Sequence, residues 1–197
     1  MKRLSVNFIV CLFLLLPAVA FAGAPLDTVR TNVNKVLDIL RDPALKPASA
    51  KETKKAKLRV IYDRMFDKTE LSKRALAKNW NNFDSAQRQE FVQLFQQVLE
   101  NAYMDKILSY VNEKVVFDKE SMISENQAEI QTRIVSSSKT IPIVYRMINK
   151  GSGWKVYDVV IENVSLVQNY RSQFNQILAN NKPEHLLQDL RKKVKES

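Results

Sequence analysis

Downstream of Asn112 the apolar residues of this chain stop recurring at every third or fourth position and begin to alternate, while β-branched residues accumulate. A repeat of 3.6 is that of a helix face and a repeat of 2 that of a strand, so the chain divides at this point. Val115 to Phe117, Ala128 to Val135, Ile141 to Ile148 and Trp154 to Ile161 are predicted as four strands. The links between them are short and polar, Gly151-Ser152-Gly153 among them. Such links suit an antiparallel meander of hairpins, because parallel strands need long crossovers.

Helices are predicted on either side of this block. Val29, Val33, Val36, Leu37 and Leu40 form one stripe of a helix from Pro25 to Arg41, which Asp42-Pro43 stops. Leu58, Ile61, Tyr62, Met65 and Phe66 repeat at i, i+3, i+4, i+7, i+8, and the other face of that helix carries Lys51, Lys54, Lys55, Lys57 and Arg59, read as a solvated face. Asp67-Lys68-Thr69-Glu70 has the form of a capping box and opens a short helix through Leu71, Ala75 and Leu76 toward Trp80. Asp84 or Ser85 caps the longest helix, whose Phe91, Leu94, Phe95, Val98, Ala102 and Tyr103 make a broad apolar face continuing to Ile107 and Tyr110. Two helices close the chain, from Ser165 to Asn180 and from Pro183 onward with Leu186, Leu187, Leu190 and Val194 on one side. The expected class is α+β, helices packed on one antiparallel sheet.

Met1-Lys2-Arg3, the apolar run Leu4 to Leu16 and Ala20-Phe21-Ala22 follow the order of a secretory signal, with cleavage expected after Ala22. The run is shorter than the roughly 20 residues that span a bilayer, which disfavours a retained anchor. Cys11 lies inside the run, where a lipid-attachment cysteine would end it, so lipidation is rejected. Residues 23–197 are then expected to form one domain: helical over 25–111, sheet over 113–162, C-terminal helices over 165–196. Removing the signal leaves no cysteine, so the core and not disulfides must hold an exported chain together, and thiolate chemistry is excluded. It also leaves 29 basic against 21 acidic side chains, a charge of +8. That excess favours phosphates, anionic lipid surfaces or acidic proteins as partners, and export makes nucleic acid the least expected of them.

Catalytic patterns are missing. The three glycines, Gly23, Gly151 and Gly153, build neither a phosphate-cradling loop nor a dinucleotide fingerprint. His185, the one histidine, is read as a surface residue, and no G-x-S-x-G places a serine nucleophile. Asp158 and Glu162 lie too far apart along a strand for a tight acid–base pair, so Asp158 is expected to pair with a basic neighbour. Asn163-Val164-Ser165 matches a glycosylation acceptor, but Ser165 is better placed as a helix cap. No metal-ligating cluster is visible and no cofactor is expected. An exported, basic, cysteine-free domain rich in large apolar residues suggests a carrier of something greasy, not an enzyme.

One block is distinctive: Gly153-Trp154-Lys155-Val156-Tyr157-Asp158-Val159-Val160-Ile161-Glu162, running without a glycine or proline into Asn163-Val164-Ser165-Leu166-Val167 and Asn169-Tyr170-Arg171-Ser172-Gln173-Phe174. With Gln87-Arg88-Gln89-Glu90-Phe91, Leu94-Phe95, Tyr103, Thr132-Arg133-Ile134-Val135 and Pro142-Ile143-Val144-Tyr145-Arg146 upstream, it resembles the MlaC, or toluene-tolerance (Ttg2-type), family of periplasmic phospholipid-binding proteins of the maintenance of lipid asymmetry (Mla) system. The resemblance covers nearly all of the mature chain, and is weakest in the N-terminal helix and over residues 43–57.

The resemblance implies a soluble periplasmic monomer of Gram-negative bacteria that shuttles phospholipid. Its implied partners are an outer-membrane lipoprotein–porin complex and an inner-membrane ABC transporter complex with a membrane-anchored substrate-binding ring. It implies helices on a curved four-stranded antiparallel sheet, NTF2- or cystatin-like in appearance, enclosing an apolar lipid pocket. Roughly thirty acyl methylenes at about 0.8 kcal/mol each make unassisted transit through water costly by about 20 kcal/mol. The expected pocket wall is Phe91, Leu94, Phe95, Val98 and Tyr103 of the long helix with Ile143, Tyr145 and Met147 of a strand, joined by Val159, Ile161, Val164, Val167, Tyr170 and Phe174. For each of these, ordinary core packing is an equal expectation. Strand parity turns Arg146 away from Ile143, Tyr145 and Met147, to the outside or a rim where it meets a headgroup phosphate. Arg171 is expected at a rim, in a buried polar tie or at a partner contact. A protein-interaction module of the same fold without lipid is the alternative, and a lipid-modifying enzyme a more distant one.

Overall fold

The computed structural model describes residues 24–110 and 113–196, and the expected signal sequence lies outside them. The change of period becomes a change of structure: helices α1 (Ala24–Arg41), α2 (Lys51–Met65), α3 (Lys68–Leu76) and α4 (Ser85–Leu108) precede β1 (Lys114–Ser124), β2 (Gln127–Val135), β3 (Thr140–Asn149), β4 (Trp154–Ile161) and β5 (Val164–Ser165), and α5 (Leu166–Leu178) and α6 (Pro183–Lys195) follow. The strands form one antiparallel sheet in the order β1-β2-β3-β4-β5. Among the described residues no helix is long and apolar enough to cross a membrane.

Several expected stops and caps are where local chemistry put them. Asp67 Oδ1 accepts from the Glu70 backbone N–H at 2.8 Å and starts α3. Asp84 and Gln87 form a reciprocal capping box at α4, and Ser165 Oγ accepts from the Gln168 N–H at 3.0 Å at the start of α5. Two short 3-10 turns, Pro43–Leu45 and Ala48–Ala50, separate α1 from α2, and a third over Ala77–Asn82 carries Trp80.

The sheet departs from four strands in two places. β1 runs eleven residues where three were expected, because Asp118 to Ser124 lies on an exposed edge where alternation carries little information. Its register slips between Phe117 and Lys119 and again between Met122 and Ser124, the bulges common on edge strands. At the other edge, Glu162 and Asn163 both take positive φ, 49° and 67°, and form a two-residue hairpin that folds β5 onto β4. Turns of this kind favour glycine and asparagine; glutamate at the first position hides the turn from a search for Gly and Pro.

The apolar side chains gather into two clusters. One lies among the helices: Leu71, Ala75 and Leu76 of α3, Phe91, Phe95, Val98 and Leu99 of α4, Val167, Tyr170 and Phe174 of α5, and Leu186, Leu187 and Leu190 of α6. The other lies where α1 covers one face of the sheet, with Val29 and Val33 against Ile130, Ile143, Met147, Val156 and Val159, and Met65 closing the end. Glu120 Oε2 on β1 accepts from the Leu26 N–H at 2.9 Å, anchoring the first turn of α1 across the sheet. Phe66, at the end of α2, packs against both clusters. Its junction is pinned to β4 by the Asp67 N–H donating to Val156 O at 2.9 Å.

Candidate functional site

The register of β2, β3 and β4 settles which residues share a face. Ile130, Tyr145 and Val159 are cross-strand partners, as are Ala128, Met147 and Val156, and Thr132, Ile143 and Ile161. All lie on the side covered by α1. The register slips at Arg146/Met147 opposite Tyr157, which lets β4 bury Val156 through Val159 without a break.

The expected pocket residues therefore divide. Phe91, Phe95, Val98, Val167, Tyr170 and Phe174 are buried in the helical cluster, and Leu94 and Tyr103 pack partly against it. Its rings interlock: Phe95 meets Tyr170 edge-on at 4.9 Å and Phe174 at 5.3 Å, and Phe174 meets Phe91 at 5.4 Å. Ile143, Met147 and Val159 are buried in the sheet cluster, with Tyr145 and Ile161 partly buried beside them. The long helix and the third strand belong to different clusters: α4 packs on α6, whereas α1 lies over the strands. Val164 is 55% exposed beside the β4–β5 turn and belongs to neither cluster.

Arg146 faces the other side of the sheet, in a row set by the register Glu129–Arg146–Asp158. Its Nε donates to Glu129 Oε1 at 2.8 Å and its guanidinium to Asp158 Oδ2 at 3.2 Å. The Glu129 hydrogen bond foremost, reinforced by Asp158, holds the guanidinium above its ordinary pKa. The basic neighbour expected for Asp158 is thus Arg146. Arg171 Nε donates to the Arg74 carbonyl at 2.9 Å, tying α5 to α3. His185 is on the surface, its Nε2 3.7 Å from Asp189.

A second polar network binds the α2–α3 junction to the β3–β4 turn. Lys150 Nζ lies 2.7 Å from Glu70 Oε2 and 2.9 Å from Asp67 Oδ2, and Arg74 Nε lies 2.7 Å from Glu70 Oε1. Burial alone would raise the Glu70 carboxyl, but the Lys150 and Arg74 hydrogen bonds outweigh it and leave its pKa below the usual carboxylate range. The Arg74 guanidinium also sits 3.9 Å from the Tyr157 ring centroid.

Further polar groups, on α2, on α4 and just beyond α4, are buried. Tyr62 stacks on Phe66 with ring centroids 4.5 Å apart. Its hydroxyl and the amide nitrogen of Gln96 are buried without a hydrogen-bond partner among the described residues, as is the hydroxyl of Tyr110. Burial pushes Tyr110 and Tyr145 each up to about 12. Tyr62 was visible only as one more member of an apolar stripe, since periodicity does not distinguish a tyrosine from a leucine. Two open grooves flank α1 on the outside. One, of about 420 Å³, is lined by Asp38 to Pro43 without Leu40; the other, of about 400 Å³, lies between Lys35, Asp38 and Ile39 of α1 and Lys57, Val60 and Ile61 of α2.

The family model described as MlaC protein matches residues 30–192. The intermembrane phospholipid transport system binding protein MlaC of Haemophilus influenzae is 27% identical over 100 residues, 48% of this chain and 47% of that one. The toluene tolerance protein ttg2D of Pseudomonas putida is 24% identical over 96 residues, 48% of this chain and 45% of its own length. These matches thus span just under half of each relative. A phospholipid-binding protein of Ralstonia solanacearum, solved in complex with a phospholipid, superposes with a TM-score of 0.77 at 21% identity, over 88% of this chain and 97% of its own, and so shares the fold. With the family model matched from the middle of α1 to the last turns of α6, this chain belongs to the MlaC family.

Proposed function

We propose that the protein is a periplasmic carrier of glycerophospholipid. It takes lipid from one membrane and delivers it to a complex at the other: an outer-membrane lipoprotein–porin complex on one side, an inner-membrane ABC transporter with its membrane-anchored ring on the other. It does so without chemical change to the lipid and with no cofactor. Cleavage after Ala22 frees it from the membrane that exported it, and it works as a monomer.

The observation that carries this reading is the division of the apolar interior into a helical cluster and a sheet cluster that share Phe66. A plane between two separately packed bodies is where acyl chains enter at least cost, since tails replace contacts across a seam and leave each body's own packing intact. The named relatives, one a phospholipid transport binding protein and one a structure holding a phospholipid, point to the same cargo.

Native mass spectrometry of the gently purified mature protein tests it. A phospholipid should co-purify or load from vesicles and leave unaltered after long incubation. Protein that neither retains nor takes up phospholipid is instead an interaction module, and release of fatty acid or headgroup would make it an enzyme.

A further inference from the structure

The seam between α2 and α4 has a readable register. Lys51 Nζ lies 3.3 Å from Asp105 Oδ1, and Arg59 Nε donates to Glu100 Oε2 at 3.0 Å. Moving up α2 from Lys51 to Arg59 thus moves back along α4 from Asp105 to Glu100, so the helices run antiparallel. One further turn along the same faces come Tyr62 on α2 and Gln96 on α4. Glu100 acts electrostatically on Tyr62, in keeping with that register, although burial is the larger cause of the raised tyrosine pKa.

Both side chains end in a buried donor with no partner among the described residues, the Tyr62 hydroxyl and the Gln96 amide nitrogen. Buried donors are nearly always paired, and one left unpaired is costly, so two at one seam call for an acceptor. The surroundings narrow its chemistry. On the outer side stand the exposed Arg59–Glu100 and Lys51–Asp105 pairs; on the inner side Tyr62 stacks on Phe66, which touches both apolar clusters. The acceptor must therefore sit at a boundary between polar surface and hydrocarbon and carry apolar groups inward.

We propose that Tyr62 and Gln96 are the hydrogen-bond donors that receive the glycerol ester carbonyls of the bound phospholipid. This rests on the carrier reading above. Ester carbonyls meet each requirement: they are acceptors only, and they lie where a lipid changes from headgroup to acyl chain. The pair thereby sets how deep the lipid seats in the seam.

Transfer from vesicles of phosphatidylethanolamine and phosphatidylglycerol tests this with Tyr62→Phe, Gln96→Met and the double variant. Each lacks a donor but keeps the shape, so the lipid-free protein should melt at the same temperature or higher, while affinity for the diester lipids falls about tenfold in the double variant. For diether lipids, which lack the carbonyls, the wild type should already bind as weakly as the double variant binds diesters, and the substitutions should change little. Unchanged diester binding in the double variant overturns the proposal, and so does an equal loss for diester and diether lipids. A fall in melting temperature that accounts for the lost binding gives the pair a packing role and overturns it too. Wild-type protein that takes up neither kind of lipid removes the carrier reading itself, a result distinct from all of these.

Discussion

The carboxylate of Asp158, 2% exposed on β4, accepts from Ser165 Oγ at 2.7 Å and from the Val167 backbone N–H at 3.0 Å, so that a strand residue completes the cap of the helix seven residues later. Arg146 donates to the same Oδ2 as Ser165, so Asp158 joins β3, β4 and α5 in one set of hydrogen bonds. Asp158→Ala should destabilise by about 3 kcal/mol, because it strips the α5 N-terminus of an acceptor and leaves Arg146 with Glu129 alone. Asp158→Asn, which keeps one acceptor oxygen, should cost less. Urea unfolding of both variants checks the order.

The Glu162–Asn163 turn predicts an improvement. Both residues hold positive φ, which costs glutamate more than asparagine. Glu162→Asn should raise stability by roughly 0.5 kcal/mol, and the gain is offset in part by losing the exposed ion pair with Lys139. A rise in melting temperature at unchanged lipid loading is the expected result.

Two separate clusters predict additive damage. Val98→Ala in the helical cluster should cost about 2 kcal/mol and Ile130→Val in the sheet cluster about 1 kcal/mol. They lie in different clusters, so the double variant should lose about 3 kcal/mol, within about 0.5 kcal/mol of the sum. A coupling well beyond that, measured by denaturant unfolding, would show one continuous core.

Glu70 predicts a pH dependence. Its folded pKa lies below the ordinary value, so its ionised form contributes stability that is complete above the unfolded pKa of about 4.3 and is lost as pH falls through the lower folded value. The stability difference between wild type and Glu70→Gln should therefore be constant near neutrality and narrow in acid, below about pH 4.3. Melting temperatures from pH 7 to pH 3 report it, and a difference that stays constant throughout would contradict the assignment.

What was legible in advance was local. The Asp67, Asp84 and Ser165 caps depend on a few consecutive residues whose side chains satisfy their own backbone, and the stop at Asp42-Pro43 and the opening of α6 at Pro183 on the fixed φ and missing N–H of proline. The parity that set Arg146 opposite Ile143, Tyr145 and Met147 is likewise built into the pleat. The outer half of β1 and the β4–β5 turn escaped notice because an exposed edge has no burial pattern to read and Glu162 is an unusual residue for its turn.

The sequence alone determined that the chain makes four helices, a hairpin sheet and two more helices, and which face of each is apolar. Only the tertiary structure decided where each apolar face goes, α1 onto the strands and α4 onto α6, and that the Tyr62 hydroxyl and Gln96 amide nitrogen are buried without partners among the described residues. The reason is that periodicity records that a face leaves water, and the hydrophobic effect that drives it is non-directional. The choice of partner for each face comes from shape, register and the polar ties made by Asp158, Glu120 and Lys150, and these join residues far apart in the chain.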